Sequence, residues 1–416
     1  MRRCERGTTR LTALIVLGVG LTYIAQLCVS PILPDIRDGF GLRSDAVINL
    51  AVDIVFPFIV LGCLAGGVLA KKLSLHALFS LVLLVSGCGL LSTLIPGGYV
   101  LFLAGRAVFG FGFGLGVPFI GSAIMTWYPA DKRERMDTVN GFFPFIGTTV
   151  CFLTMAPLAG LWGSWRGAVA VWGVGMLVLF VCWAALVRPG RIPRYDAADP
   201  GGGQESYRAL WRRREIRLIC ITYICDLCCY SYLALILPTF LQESSGLSQS
   251  AANVIAAVAF PIAGLLGCLA GGAIMARSGL RKPLLVMGQV LKMAGILIAA
   301  PLSGGRFAMI VAGVIVFGLG NSLWMPPVYC VPMDLEGMTP HSVGAAFALM
   351  TALGMLAGFV APTLGGLLTT AFLRGASEVG PAAHAAALRM SLAVFSLFNV
   401  PAILCMALLP ETGQRK

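Results

Sequence analysis

The sequence predicts an all-α membrane protein with twelve transmembrane helices in two pseudo-symmetric six-helix bundles, and three observations predict it. Hydrophobic residues make up 58% of the 416 positions and charged residues only 12%, about half the charge of a soluble domain. Twelve apolar stretches are each long enough to cross a bilayer, which takes about 20 residues. The second half also repeats the first. LGCLAGG occurs at Leu61 to Gly67 and again at Leu266 to Gly272. TYI-x-Q-L-C at Thr22 to Cys28 returns as TYI-x-D-L-C at Thr222 to Cys228, and ILP at 32–34 returns at 236–238. FGLG at 113–116 returns at 317–320, and APLAG at 156–160 returns as APTLG at 361–365. Order is kept throughout, so the repeat unit is half the protein.

The spans fall in matched pairs. Spans 1 and 7, over 11–34 and 216–241, carry the TYI motif, and spans 2 and 8, over 46–70 and 248–276, carry LGCLAGG. Spans 3 and 9 cover 77–95 and 283–301, and spans 4 and 10 cover 99–128 and 306–332. Span 4 holds Gly110, Gly112, Gly114 and Gly116, overlapping small-xxx-small pairs that let helices approach closely. Spans 5 and 11, over 138–163 and 341–373, contain the Ala-Pro match, and spans 6 and 12 cover 167–187 and 386–409. Pro57, Pro261, Pro157 and Pro362 stand at matched places in spans 2, 8, 5 and 11. Each removes a backbone donor and predicts a bend. The division is a first bundle over 1–187, a cytoplasmic linker over 188–215 with a Gly-rich run and RRRE, and a second bundle over 216–416.

Cytoplasmic loops are enriched in Lys and Arg. With the N-terminus inside, the outer side holds only Arg37, Arg43, Arg166, Arg306, Arg374 and Arg389, while the termini, the linker and the remaining loops carry the rest apart from Arg106 and Lys292, which fall within spans. Both termini are therefore expected to be cytoplasmic, in a multi-pass protein of a bacterial inner membrane. The net charge of +12 is spread over those short segments, which reads as topology and not as nucleic-acid binding. The basic start lacks an A-x-A cleavage site and recurs as an internal helix, so it reads as a retained span. The thirteen cysteines lie almost entirely within spans, where small weakly polar residues serve packing.

Two six-helix repeats joined by a basic loop resemble the major facilitator superfamily of secondary transporters. That family places G-x-L-a-D-R-x-G-R-K after spans 2 and 8. Here the copies read GVLAKKLSLH from Gly67 to His76 and GAIMARSGLR from Gly272 to Arg281. Gly67, Lys72, Gly272, Arg277 and Gly279 fit this gating-loop motif, whereas Lys71 and Ala276 stand where the family has Asp. The charge lock assigned to that Asp is therefore not carried over. Arg106 with its glycine run, WYPADKRER after span 4, and LPETG at 409–413 also resemble the family. APLAG resembles the G-P-x-x-G-G motif of proton-coupled exporters, with Ala156 and Leu161 in place of two of its glycines. The resemblance implies alternating access, with spans 1, 4, 7 and 10 lining a central site.

Four charged side chains fall well inside the predicted spans, more than five residues from either end: Asp53, Arg106, Asp226 and Lys292. Ionisable groups at membrane depth are costly and mark function by default. Asp53 and Arg106 lie about 10 Å from the outer ends of their spans, and Asp226 and Lys292 roughly 14 Å from the inner ends of theirs. Two ion pairs result, read either as helix locks or as functional groups. Thr222, Tyr223, Asp226, Cys229 and Tyr230 share one face of span 7, and Thr22, Tyr23, Gln26 and Ser30 form the matching stripe on span 1. Such a stripe is expected to face a wet cavity or the partner half. Gln26 is the repeat equivalent of Asp226, and in the resembling fold the two would face each other.

The function that follows is secondary active transport of a small organic solute, read as an anion, by proton-coupled alternating access. Asp226 is the expected coupling acid. Arg106 either binds an anionic group or holds Asp53, with Asn321 and Trp324 adding hydrogen bonding and stacking. Partners are the small-molecule substrate, protons and the lipid bilayer, with no nucleic acid, acting as a monomer; no cofactor or metal is expected. A proton-coupled exporter of lipophilic or cationic drugs is the alternative. A metal- or thiol-binding membrane sensor built on Cys225, Cys228 and Cys229 is the alternative from another class. No H-E-x-x-H, G-x-S-x-G or Walker loop points to an enzyme. A fluorescent-protein fusion after Lys416 is expected to fluoresce, as cytoplasmic fusions do, while an alkaline phosphatase fusion at the loop around Arg306 is expected to be active. The reverse pattern would overturn the orientation.

Overall fold

In a computed structural model, residues 2–42, 45–187, 206–374 and 380–413 are described; residues 188–205 of the predicted linker lie outside them. The described residues form twelve helical spans of the length and apolarity a bilayer needs. They are Leu11–Phe40, Val47–Leu69, Leu75–Leu94, Tyr99–Trp127, Lys132–Trp162, Trp165–Leu186, Arg214–Ser245, Val254–Ser278, Lys282–Ala299, Phe307–Asp334, Pro340–Arg374 and Pro381–Leu408. Large apolar side chains stand exposed along them, Leu153, Leu161 and Leu367 among others. Lipid, and not water, is the solvent that such a surface fits.

The chain divides into two compact units. One comprises Met1–Leu210 with Glu336–Ala352, and the other Trp211–Leu335 with Leu353–Lys416. The first therefore takes in the start of span 11 as well as the first six spans. Ser122 of span 4 donates to the Pro340 carbonyl at 2.9 Å. A Cβ at Gly344 would lie 2.4 Å from the Pro118 carbonyl. Small residues on both helices permit that approach.

LGCLAGG is the face on which spans 2 and 8 meet spans 4 and 10. A Cβ at Gly62 would stand 2.2 Å from the Phe111 carbonyl, and one at its equivalent Gly267 2.3 Å from that of Leu319. Gly271 meets the Leu323 carbonyl at the same 2.3 Å. The repeated motif thus records a repeated backbone-to-backbone contact, in which only hydrogen fits. On span 4 itself, Gly110, Gly112 and Gly114 touch the backbone of spans 2 and 3, whereas Gly116 faces Val82 at an ordinary 3.4 Å.

Proline breaks four spans. Span 1 stops at Gln26 and resumes through the turn Ser30–Ile32 into Leu33–Phe40, with prolines at the first turns of both. Span 2 is two helices, Asp45–Asp53 and Val55–Leu69, interrupted ahead of Pro57. Span 10 parts at Trp324, just before Pro326 and Pro327, and span 12 parts between Ser396 and Asn399, ahead of Pro401. Proline lacks the donor for the carbonyl four residues back and disfavours helix in the residue before it. The matched prolines differ in effect: Pro57 breaks its span, while Pro157, Pro261 and Pro362 remain inside continuous helices.

At the loop-facing end of the second unit, Arg281 pairs with Asp334 through two contacts, at 2.5 Å and 3.2 Å. Glu411, from the LPETG sequence, accepts the backbone N–H groups of Arg281 and Lys282 at 2.9 and 3.1 Å. It places a carboxylate on the unfilled donors that open the helix Lys282–Ala299, where negative charge is favourable. Gly279 ends the preceding helix with φ of +70°, a turn that only glycine makes without strain. Lys72 and Arg277 are exposed in these loops.

Gly114→Ala would drive a Cβ to 2.3 Å from the Ile59 carbonyl and is expected to cost about 1–3 kcal/mol. Gly366→Ala, where nothing lies within 4 Å, serves as the contrast and is expected to be neutral or slightly stabilising. Thermal unfolding of the detergent-solubilised protein measures both.

Candidate functional site

Each unit buries one cation at membrane depth, and each cation grips the same repeat position. In the first unit Arg106, on the continuous helix Tyr99–Trp127, is completely buried. Its Nη2 donates to the Gln26 carbonyl at 2.7 Å, its Nη1 to that of Ala25 at 3.1 Å, and its Nε to that of Ala51 at 3.1 Å. Nη1 also lies 3.7 Å from the Cys28 thiol, and the guanidinium sits 5.3 Å from the Phe109 ring centre. Gln26 is the last residue of its helix. The final carbonyls of a helix have no partner of their own and carry the negative end of its dipole. Arg106 thus caps the break in span 1 while also binding span 2 two residues before its helix ends. Its positive charge is met by main-chain dipoles.

In the second unit Lys292, on Lys282–Ala299, is also completely buried. Its ammonium donates to the main-chain carbonyl of Asp226 at 2.8 Å and forms a salt bridge with Asp226 Oδ1. It lies 5.4 Å from the Phe317 ring centre. Asp226 is fully enclosed as well, with the side chains of Gln289 and Trp324 beside its carboxylate. Here span 7 runs unbroken as Arg214–Ser245. An intact helix offers no cluster of vacant carbonyls to balance a buried ammonium, and a carboxylate supplies the charge instead.

The depth matching that predicted two ion pairs gives one of them. Asp226 and Lys292 pair. Arg106 and Asp53 do not: among the described residues the partners of Arg106 are those named above, and Asp53 is half-buried at the end of Asp45–Asp53. Residues two apart point to different sides of a helix, so the carbonyl that Arg106 reaches at Ala51 and the Asp53 side chain are separate targets.

The polar stripe of span 7 meets several helices. Its side chains serve several neighbours within their own unit: Asp226 turns to span 9, and Tyr223 packs edge-on against Trp324 of span 10, with centres 5.2 Å apart. Cys229 accepts from Asn399 of span 12 at 3.4 Å, and Tyr230 lies 5.5 Å from Phe260 of span 8. Cys228 donates toward the Ala357 carbonyl at 3.9 Å. The cysteines next to Asp226 are thus directed to different helices. On span 1, Tyr23 meets Phe113 edge-on at 5.1 Å and stacks on Phe143 at 6.3 Å. A narrow apolar cavity beside it is lined by Thr22, Tyr23, Phe113, Gly116 and Ile120. Asn321 and Trp324 are buried next to each other's turn of span 10, at the break in that span.

Gln289 is the site neighbour that sequence reasoning missed. It stands three residues before Lys292, a spacing that puts both on one helical face.

A family model described as the Major Facilitator Superfamily matches residues 15–362 and 219–415. A probable sulfoacetate transporter of Cupriavidus necator, SauU, is 25% identical over 376 residues, covering 84% of each chain. Among solved structures, the transporter FucP in an outward conformation has a TM-score of 0.70 at 16% identity, covering 95% of this chain and 99% of its own. The proton:xylose symporter XylE has 0.69 at 16%, covering 98% and 97%. A bacterial homologue of the lysosomal transporter Spinster has 0.64 at 15%, covering 97% of both. These likenesses show the fold.

Lys292→Met leaves a carboxylate buried without its counter-charge and is expected to destabilise the protein by about 3–5 kcal/mol. Combining it with Asp226→Leu is expected to recover most of that loss. A double-mutant cycle on unfolding midpoints checks this, and additive losses would contradict the pairing.

Proposed function

The chain belongs to the Major Facilitator Superfamily, a transporter and not an enzyme, and on that footing we propose that it carries a small organic anion across the bacterial inner membrane together with protons. In this reading it works as a monomer with both termini in the cytoplasm. The observation that carries the proposal is the charge balance of the two buried clusters. Arg106 is held by neutral carbonyls, so its full positive charge is not cancelled by a carboxylate among its partners. Lys292 is cancelled by Asp226 alone.

Protonation of Asp226 removes that cancellation. Among the described residues the Lys292 ammonium then keeps the Asp226 carbonyl and the Phe317 ring, and the membrane interior gains a positive charge that a carboxylate or sulfonate can offset. Proton and anion therefore favour each other's binding, and by linkage the effect is reciprocal. Alternating access then moves the neutralised set. The relative named as a probable sulfoacetate transporter handles an organic anion, which supports the same class.

Export of lipophilic cations is the second reading, and the aromatic surface of Tyr23, Phe113 and Phe143 is what favours it. A sensor that binds a metal or thiol through Cys225, Cys228 and Cys229 has less behind it. Among the described residues no group of three or more His, Cys, Asp or Glu side chains is placed to hold a metal. Changing Cys228 and Cys229 to Ser is expected to leave transport intact.

Proteoliposomes given an inward proton gradient and a panel of carboxylates, sulfonates and cationic dyes test the proposal. Wild type is expected to accumulate an anion, with apparent affinity that tightens as the outer pH falls. Asp226→Asn is expected to lose uphill accumulation and the pH dependence while still folding. Dye extrusion by wild type, or full accumulation by Asp226→Asn, would sink it.

A further inference from the structure

The loop after span 2 lacks the acid of the motif it resembles, since Lys71 stands in its place and is exposed with Lys72. In the second unit the corresponding loop is tied down by Arg281, Asp334 and Glu411. The first unit has a different tie. Its first stretch runs into the linker as far as Leu210, and there Tyr207 reaches span 2. The phenol donates to the Leu64 carbonyl at 3.0 Å and lies 3.5 Å from that of Cys63.

Gly67, the first residue of the motif, makes this contact fit. A Cβ at that position would lie 1.9 Å from the Tyr207 hydroxyl oxygen and 2.9 Å from Cζ. Any other residue would have to displace the ring. The short helix that carries the phenol, Tyr207–Arg212, is started by Ser206, whose hydroxyl accepts the Ala209 N–H at 3.2 Å. Leu210, one turn after Tyr207, is completely buried. Two side chains on one face of the linker helix are thus anchored. Burial pushes the Tyr207 phenol well above the ordinary tyrosine range. It remains a donor up to and beyond the pH at which an exposed tyrosine ionises, and the bond is lost only when pH rises through that elevated value.

We propose that Tyr207 is a linker fastener: seated in the notch left by Gly67, it holds the cytoplasmic end of span 2. Tyr207 lies seven residues before Arg214, where span 7 begins. The tie therefore sits on the short covalent path between the two halves and restrains span 2 during the transport cycle. That consequence rests on the alternating-access reading above; the tie itself does not.

Hydrogen–deuterium exchange on the purified full-length protein tests it without needing a substrate. Tyr207→Phe removes one hydrogen bond and is expected to speed exchange of the 206–212 amides roughly three- to tenfold. Tyr207→Ala and Gly67→Ala are each expected to do more, and the double variant no more than either alone. Unchanged exchange in Tyr207→Phe and Gly67→Ala, or additive effects in the double variant, would overturn the proposal. Failure of wild type to transport would sink the proposed function while leaving the exchange result readable.

Discussion

A positive charge that cannot reach water must be balanced inside the protein, and this constraint ties helices to one another within each half. Isolated burial of an ammonium or guanidinium costs several kcal/mol. Arg106 meets the demand with three main-chain carbonyls drawn from two spans. Lys292 meets it with one carbonyl and one carboxylate drawn from a single residue. Both act on the same repeat position, Gln26 in the first half and Asp226 in the second. The difference follows from the helix itself. Span 1 ends its helix at Gln26 and presents two of its last carbonyls to the cation, whereas span 7 is continuous at Asp226 and presents one. A broken helix neutralises its cation with groups that do not titrate. An unbroken one needs an acid, and an acid can exchange a proton.

The same economy appears in the packing. Matched glycines bring span 2 against span 4 in one half and span 8 against span 10 in the other, so each half repeats the same backbone-to-backbone packing. Divergence is confined to where prolines fall and to which polar side chain occupies an equivalent site. The two loops that follow the glycine faces illustrate it. One is secured by a carboxylate pair and a helix-capping glutamate, the other by a phenol arriving from the linker.

Much of this was legible in the residues. Span number and the repeat follow from apolar run length and matched offsets, because lipid requires helices of that length with internally satisfied backbone. Equal depth identified Asp226 and Lys292 as partners, since the side chains of a packed pair must reach one level. The same depth reasoning failed for Arg106 and Asp53. It counts side chains only, while the groups that Arg106 uses are carbonyls freed by a helix break. Such a break is encoded by Pro31 and Pro34, and their presence close after Gln26 was the available signal. The individual partners of the span 7 stripe were not legible, because a helix packed on several sides can direct successive polar residues toward different neighbours. Nothing in the linker sequence pointed to Tyr207, because its role depends on a glycine 140 positions earlier.

The central claim is that Asp226, alone of the two equivalent positions, exchanges a proton within the membrane. Infrared difference spectroscopy of the purified protein, stepped from about pH 8 down to about pH 4, where ordinary carboxyl groups titrate, reads this directly. A carbonyl stretch of a protonated carboxylic acid in a dry environment is expected, surviving in Asp53→Asn and missing in Asp226→Asn. A band that persists in Asp226→Asn would contradict it.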